Sequence, residues 1–248
     1  NFESIVNYLT FLWSPGPRTM YKYVNKLIPG QIIEIDTKTL ATKKMRVPTP
    51  KLFNGEYWDL SELELFIKNS NTCSLKKNAN NTVFADGNPL SKIMLIGEAP
   101  GADEDKYGKP FVGRAGQLLD KMLAAIKLDR NNVYISNVIP WRPPGNRAPT
   151  TEEILQCLPF IQRHIEIIKP SMLILLGGTA AKALLTTSQG ITKLRGSWYQ
   201  YNSIGLSNPI QTRAIFHPAF LLRSPGHKRQ TWEDLKEIAK KIKLNENN

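Results

Sequence analysis

Three polar residues that could do chemistry each stand at the end of a short apolar run. Glu98 lies in Gly97-Glu98-Ala99-Pro100-Gly101, directly after Ile93-Met94-Leu95-Ile96; Asn137 closes Tyr134-Ile135-Ser136; His217 follows Ala214-Ile215-Phe216. Short apolar runs bounded by Gly, Pro or polar residues read as buried strands. Carboxylates, amides and imidazoles at the carboxyl ends of such strands sit where open α/β sheets bind ligands. Three more acids, Asp103, Glu104 and Asp105, follow Glu98 in what reads as one tight turn. Arg142, Arg147, Arg195 and Arg223 lie in Pro/Gly-rich loops. There they cannot be assigned to the solvated face of a helix, which points to phosphate.

Each residue alone has an ordinary structural reading. Glu98 would cap its turn, Asn137 would satisfy backbone groups at a strand end, and His217 and Phe111 would belong to a core. Gly177-Gly178 before a helix could hold phosphate at the helix N-terminus, but no Gly-Lys-Ser/Thr follows, so it is not a P-loop. The shared location of these groups at strand ends is the stronger signal.

The elements that must hold them follow from periodicity. Strands are expected over Lys92–Gly97, Asn132–Val138, Ser171–Gly177 and Gln211–Phe216. Helical spacing marks Asp59–Asn69, Gly116–Ile126, Thr150–Ile168, Thr179–Leu185 and Thr231–Ile242. Alternating strands and helices predict a parallel sheet covered on both faces. The 248 residues suffice for one large domain with an appendage. The net charge of +12 suggests a polyanionic partner, with nucleic acid first. The two cysteines, Cys73 and Cys157, and the lack of a visible secretory signal, predict reduced thiols in a cytoplasm. No apolar run is long enough for a membrane helix. Val47-Pro48-Thr49-Pro50 reads as a linker, which separates an appendage, 1–50, from a domain over 58–244.

The motifs together resemble the family-four type of uracil-DNA glycosylase. The resemblance is carried by Gly97-Glu98-Ala99-Pro100-Gly101, Gly108-Lys109-Pro110-Phe111-Val112-Gly113-Arg114-Ala115-Gly116, Tyr134-Ile135-Ser136-Asn137-Val138, Arg142-Pro143-Pro144-Gly145-Asn146-Arg147, Leu194-Arg195-Gly196 and His217-Pro218-Ala219, in that order. It implies a three-layer α/β/α sandwich around a four-stranded parallel sheet. It implies that Glu98, Asn146 and His217 are catalytic. It also implies a uracil pocket of Ala99, Glu104, Phe111, Asn137 and His217, with Glu104 near the place of a thymine methyl. The loop 221–230 resembles the family's DNA-penetrating loop, so Arg223 and Lys228 join Arg142, Arg147 and Arg195 as expected DNA contacts. The activity implied is excision of uracil from DNA, leaving an abasic site for base excision repair, by a monomer with no obligate protein partner. The alternative is a relative that binds DNA or uracil without catalysis.

The family normally carries a [4Fe–4S] cluster on a full cysteine set. Cys73 and Cys157 match two of those positions, but Ser70 and Trp141 stand at the other two. No cluster is therefore expected, and Trp141 is expected to fill the space by packing. The stretches Tyr8–Thr19 and Lys26–Gln31 resemble a fragment of the glutamine amidotransferase domain of asparagine synthetases. That domain needs an N-terminal cysteine nucleophile, which is missing, so a non-catalytic remnant is expected there.

Overall fold

The computed structural model describes residues 59–246 continuously, with two strands nearer the start of the chain. The chain divides into two compact units, Asn1–Glu56 and Tyr57–Asn248. In the first, β1 (Gln31–Ile35) and β2 (Thr42–Arg46) pair antiparallel, with Gln31 opposite Arg46. Apart from these strands, the expected amidotransferase-like appendage lies outside the described residues.

The second unit is built on one sheet of six strands: β3 (Asp86–Gly87), β4 (Ile93–Gly97), β5 (Tyr134–Asn137), β6 (Met172–Leu176), β7 (Trp198–Tyr201) and β8 (Ile210–Ile215). Their spatial order is β3-β5-β4-β6-β8-β7. The inner strands β5, β4, β6 and β8 are parallel and coincide with the runs read from the sequence. The expected four-stranded parallel sheet forms the centre, and β3 and β7 add one antiparallel strand at each edge. Neither has an apolar run: β3 is two residues long and β7 is only partly buried.

Along each inner strand the side chains alternate between two cores. Met94, Ile96, Tyr134, Leu173, Leu175 and Ala214 pack with α1 (Leu60–Asn69), α4 (Thr151–Ile168) and α5 (Gly178–Leu185). Ile93, Leu95, Ile135, Ile174, Leu176 and Ile215 pack with α3 (Arg114–Ala124), α7 (Pro218–Arg223) and α8 (Lys228–Glu246). A sheet buried on both faces reads as continuous apolar runs, and that is why periodicity located these strands.

Helix starts are set by local chemistry. Asp59 and Glu62 form a reciprocal capping box at α1, and Thr150 and Glu153 form another at α4. The short helices α2 (Ala102–Tyr107) and α6 (Ile191–Leu194) complete the unit. The acids 103–105 therefore lie in a helix rather than in a tight turn. The buried Asp105 carboxylate accepts from the backbone N–H groups of Asn80 (2.8 Å) and Asn81 (3.1 Å) and from the Asn80 amide (2.7 Å). It anchors a loop and is unavailable for chemistry.

Candidate active site

Sheet register brings the strand-end groups together. Gly97 at the end of β4 lies directly opposite Asn137 at the end of β5. Beyond the same edge, Val138 and Ile139 donate their N–H groups to the carbonyls of Gly97 (3.0 Å) and Glu98 (3.1 Å). A Cβ on Gly97 would overlap both Asn137 Oδ1 and the Phe111 ring. Glycine is therefore what lets the amide and the ring meet over the end of β4. Phe111 in turn stacks with His217, ring centroids 5.6 Å apart and planes 30° apart. Phe111, Asn137 and His217 thus come together beyond the carboxyl ends of the parallel strands, where sheets of this kind form their binding cleft.

The polar atoms of this cleft are in defined states. Asn137 is 5% exposed, and its Oδ1 has no hydrogen-bond partner among the described residues. An unpaired buried acceptor costs about 1–3 kcal/mol, so Oδ1 gains by accepting a hydrogen bond from a group brought into the site. His217 caps α7: its Nδ1 accepts the Ala219 N–H at 3.1 Å. Nδ1 is thereby the acceptor of the ring, which leaves the proton of the neutral imidazole on Nε2. Burial, with the positive charge of Arg223 behind it, lowers the His217 pKa to about 4, so the ring is neutral at physiological pH. The half-buried Glu98 carboxylate accepts a short hydrogen bond from the Thr179 hydroxyl, in the first turn of α5. Sequence reasoning missed Thr179; its position after Gly177-Gly178, at a strand end, was the available signal.

The other expected residues divide. Ala99 is half-buried beside Glu98 and packs toward the α1/α4 core. Glu104 is occupied by backbone: Oε1 accepts from Val112 and Gly113, both at 2.9 Å, and Oε2 from Gly101 at 3.1 Å. It braces the loop that carries Phe111. Asn146 is exposed in the turn Pro144–Asn146, where its Oδ1 accepts from Arg142 Nε at 2.7 Å. No described hydrogen bond joins Asn146 to Glu98, Asn137 or His217.

Two of the loop arginines expected to face phosphate are held by carboxylates within the fold. Arg147 places both terminal nitrogens on Glu153, at 2.8 and 2.5 Å, and that contact leads the causes lowering the Glu153 pKa to about 2. Arg195 bonds Asp234 (2.9 Å) and the Gln230 carbonyl (2.7 Å) and lies over the Phe216 ring. Asp234 also holds the buried Arg213 at 2.8 Å. Both arginines have carboxylate partners within the fold that account for them. Arg223 and Lys228 are exposed and have no carboxylate partner within 4.0 Å among the described residues. Leu222, beside Arg223, is 38% exposed. A separate open groove of about 460 Å³ near Arg163 and Lys169 contains none of these residues; its carboxylate, Glu166, is held by Ser203, Gly205 and Arg163.

The region corresponding to the cluster does not fit one. Cys73 and Cys157 are buried and touch each other. The interaction between the two thiols holds Cys73 below the usual thiol value, and the same contact with burial pushes Cys157 up. Ser70 Oγ is engaged with Thr72 Oγ1 at 2.9 Å. Trp141 is 1% exposed, its indole N–H donates to Thr82 Oγ1 at 3.0 Å, and it meets Phe160 edge-on. Two thiols, a hydroxyl and an indole are not the donor set of a [4Fe–4S] centre. Among the described residues, no group of three or more His, Cys, Asp or Glu could hold a metal ion.

Comparison with known proteins identifies the family. The family model of the uracil DNA glycosylase superfamily matches residues 84–236. A type-4 uracil-DNA glycosylase of Pyrobaculum aerophilum is 39% identical over 181 residues, which cover 71% of this chain and 91% of that protein. One from Thermotoga maritima is 40% identical over 180 residues, with the same coverage of 71% and 91%. A type-5 uracil-DNA glycosylase of Pyrobaculum aerophilum is 26% identical over 170 residues, or 62% of this chain and 72% of that protein. The match spans every strand end that lines the cleft: the chain belongs to the uracil DNA glycosylase superfamily.

Proposed function

We infer that this protein is a uracil-DNA glycosylase, which hydrolyses the N-glycosidic bond of uracil in DNA and leaves an abasic site. The observation that carries the reading of the pocket is the buried Asn137 Oδ1, without a partner among the described residues, beside the Phe111 ring. An extruded uracil stacked on that ring offers N3–H to Oδ1 and takes the amide N–H at O4. Cytosine presents the opposite pattern and would leave buried groups unpaired, so it is rejected. Extrusion costs a few kcal/mol of stacking, which the ring and the amide offset.

As the bond between C1′ and N1 breaks, its electron pair stays with the base and charge grows on O2. His217, neutral and protonated on Nε2, donates there without first losing a proton to solvent. Positive charge develops on the sugar, and the Glu98 carboxylate, fixed by Thr179, stabilises it or orients the water whose oxygen bonds to C1′. Uracil leaves as its N1 anion, which takes up a proton equivalent to the one the attacking water releases, and among the described residues no lysine stands at the strand ends for a backbone-cutting step. Arg223 and Lys228 hold phosphate, with Arg142 at the neighbouring loop. The protein works on DNA without an iron–sulfur cluster, without an obligate partner protein and in the cytoplasm. No helix among the described residues is long and apolar enough to cross a membrane.

The test is incubation with a uracil-containing oligonucleotide, with and without alkali. Scission only after alkali is expected. DNA retention without any abasic product would favour the binding-only alternative, and scission without alkali would contradict simple hydrolysis.

A further inference from the structure

Phe111 is the one aromatic residue among those described with a left-handed backbone, at φ 55°. A bulky side chain there costs on the order of 1–3 kcal/mol and persists only where its surroundings over-determine it. Two ionic groups do so from opposite sides. Glu104 takes the N–H groups that follow the ring, Val112 and Gly113. Arg130 takes the carbonyls at and before it: its guanidinium donates to Phe111 O at 2.5 Å and to Pro110 O at 3.2 Å. The remaining edges of that guanidinium are held by Asp86 (2.6 Å) and Asp120 (2.9 Å). Gly116 closes the fit, because a Cβ there would overlap the Phe111 carbonyl.

We propose that Arg130 is a positioning residue for excision, acting through the backbone of Phe111 and never touching the base. The proposal rests on Phe111 being the platform for the extruded uracil. A planar donor with several fixed N–H groups can span two carbonyls and two carboxylates at once, whereas lysine cannot. The ring must lie flat between the end of β4 and His217, so a loop free to relax its φ would swing the platform out of plane. Positional errors of about 1 Å are costly in such sites. A purely stabilising role for Arg130 predicts lower thermal stability with the pocket unaffected in the folded fraction.

The experiment is a double-mutant cycle with Arg130→Gln, Phe111→Ala and the pair together. Each is read by single-turnover excision from a uracil-containing single strand, by inhibition with free uracil, and by thermal melting. Arg130→Gln is expected to slow excision about tenfold and to weaken uracil inhibition to a similar extent. In the Phe111→Ala background the same substitution should change either by less than about twofold. Equal losses in both backgrounds, or no loss in uracil inhibition, would overturn the proposal. If Phe111→Ala itself leaves uracil inhibition intact, the platform reading fails, which is a different result. Should Arg130→Gln not fold, Asp86→Asn and Asp120→Asn each release one arm of the guanidinium. Each should then give about a two- to fivefold loss that vanishes without the Phe111 ring, and the absence of any such loss counts against the proposal.

Discussion

The strand-end cleft and the plug around Trp141 belong to one folded unit but differ in what they leave open. In the cleft, Asn137 Oδ1 has no partner among the described residues, and His217 keeps its Nε2 proton, because the Ala219 N–H takes the other nitrogen. In the plug, the indole N–H bonds Thr82, the ring packs on Phe160, and the two thiols satisfy each other. The strand-end groups leave one acceptor free among the described residues, whereas the indole around which the plug is built is bonded and packed. The contacts that set the cleft run through the register of β4 and β5, through Thr179 and through the Phe111 loop. None of these passes through Cys73 or Cys157. The plug therefore packs as part of the core, apart from the contacts that set the cleft.

The largest effect should come from emptying the plug. Trp141→Ala removes a fully buried indole and should cost about 3–5 kcal/mol, which lowers the melting temperature by on the order of 10 °C. Well below that melting point, the folded fraction should still excise uracil within a few-fold of the parent rate. A folded Trp141→Ala protein without excision activity at low temperature would break the separation of scaffold from site. Iron and sulfide analysis of protein purified without oxygen sharpens the same point. The expected result is no stoichiometric iron, and a broad visible absorbance would mean that ligands other than cysteine complete a centre.

In the cleft the effect should fall on rate instead. His217→Ala removes a donor aimed at charge that exists only as the bond breaks, so single-turnover excision should drop by on the order of 100-fold. Nonspecific DNA affinity and melting temperature should change little by comparison. If His217→Ala mainly weakens DNA binding, the donor role assigned to it is wrong.

The two regions are not equally legible in the sequence. The parallel strands, the helix start at Thr150 and the placement of Glu98, Asn137 and His217 at or just past the ends of parallel strands follow from apolar runs and from the rule that parallel strands end on one edge. The packing of Trp141 is foreseeable once a cysteine position holds an indole. What escapes are contacts between residues far apart in sequence. Arg130 meets Asp120, Phe111, Pro110 and Asp86 across separations of 10, 19, 20 and 44 residues, which no local pattern encodes. Arg195 finds Asp234 across 39 residues, so its loop position alone suggests a phosphate ligand. Arg147 is the instructive exception. Its partner Glu153 is six residues away and already marked by the Thr150 capping box, so that pair could have been anticipated. Glu104 likewise stands three residues after Gly101, the spacing of a helix-start carboxylate.

A smaller effect separates the regions by pH. The folded pKa of His217, about 4, lies below its usual 6.5. Between those values the unfolded chain binds a proton that the folded pocket refuses. Stability from this group is thus full above about pH 6.5 and declines as pH falls toward 4. The buried His164, lowered to about 3, acts in the same direction. For catalysis the consequence is different: the neutral donor persists through mild acid. The profile of kcat/KM should therefore show no decline centred near 6.5, and its His217-dependent acid limb should lie near 4. A limb centred at 6.5 that disappears in His217→Gln would show that the ring is solvated and that the cleft is looser than its contacts imply.

The finest test separates arginines that face DNA from those that face the fold. Removing a side chain that neutralises one phosphate lowers the slope of log affinity against log salt by about one unit. Arg223→Ala and Lys228→Ala should each do so on undamaged DNA, with little change in melting temperature, because both side chains are exposed and have no carboxylate partner within 4.0 Å among the described residues. Arg147→Ala and Arg195→Ala should do the reverse. They strip Glu153 and Asp234 of a charge partner, and Asp234 is only 1% exposed, so the damage should appear in melting while the salt slope stays put. The Arg195 variant should be the less stable of the two, since its partner is the more deeply buried and must then rely on Arg213 alone among its ion pairs. A fall of one unit in the slope for Arg195→Ala, with melting unchanged, would return that residue to the DNA surface.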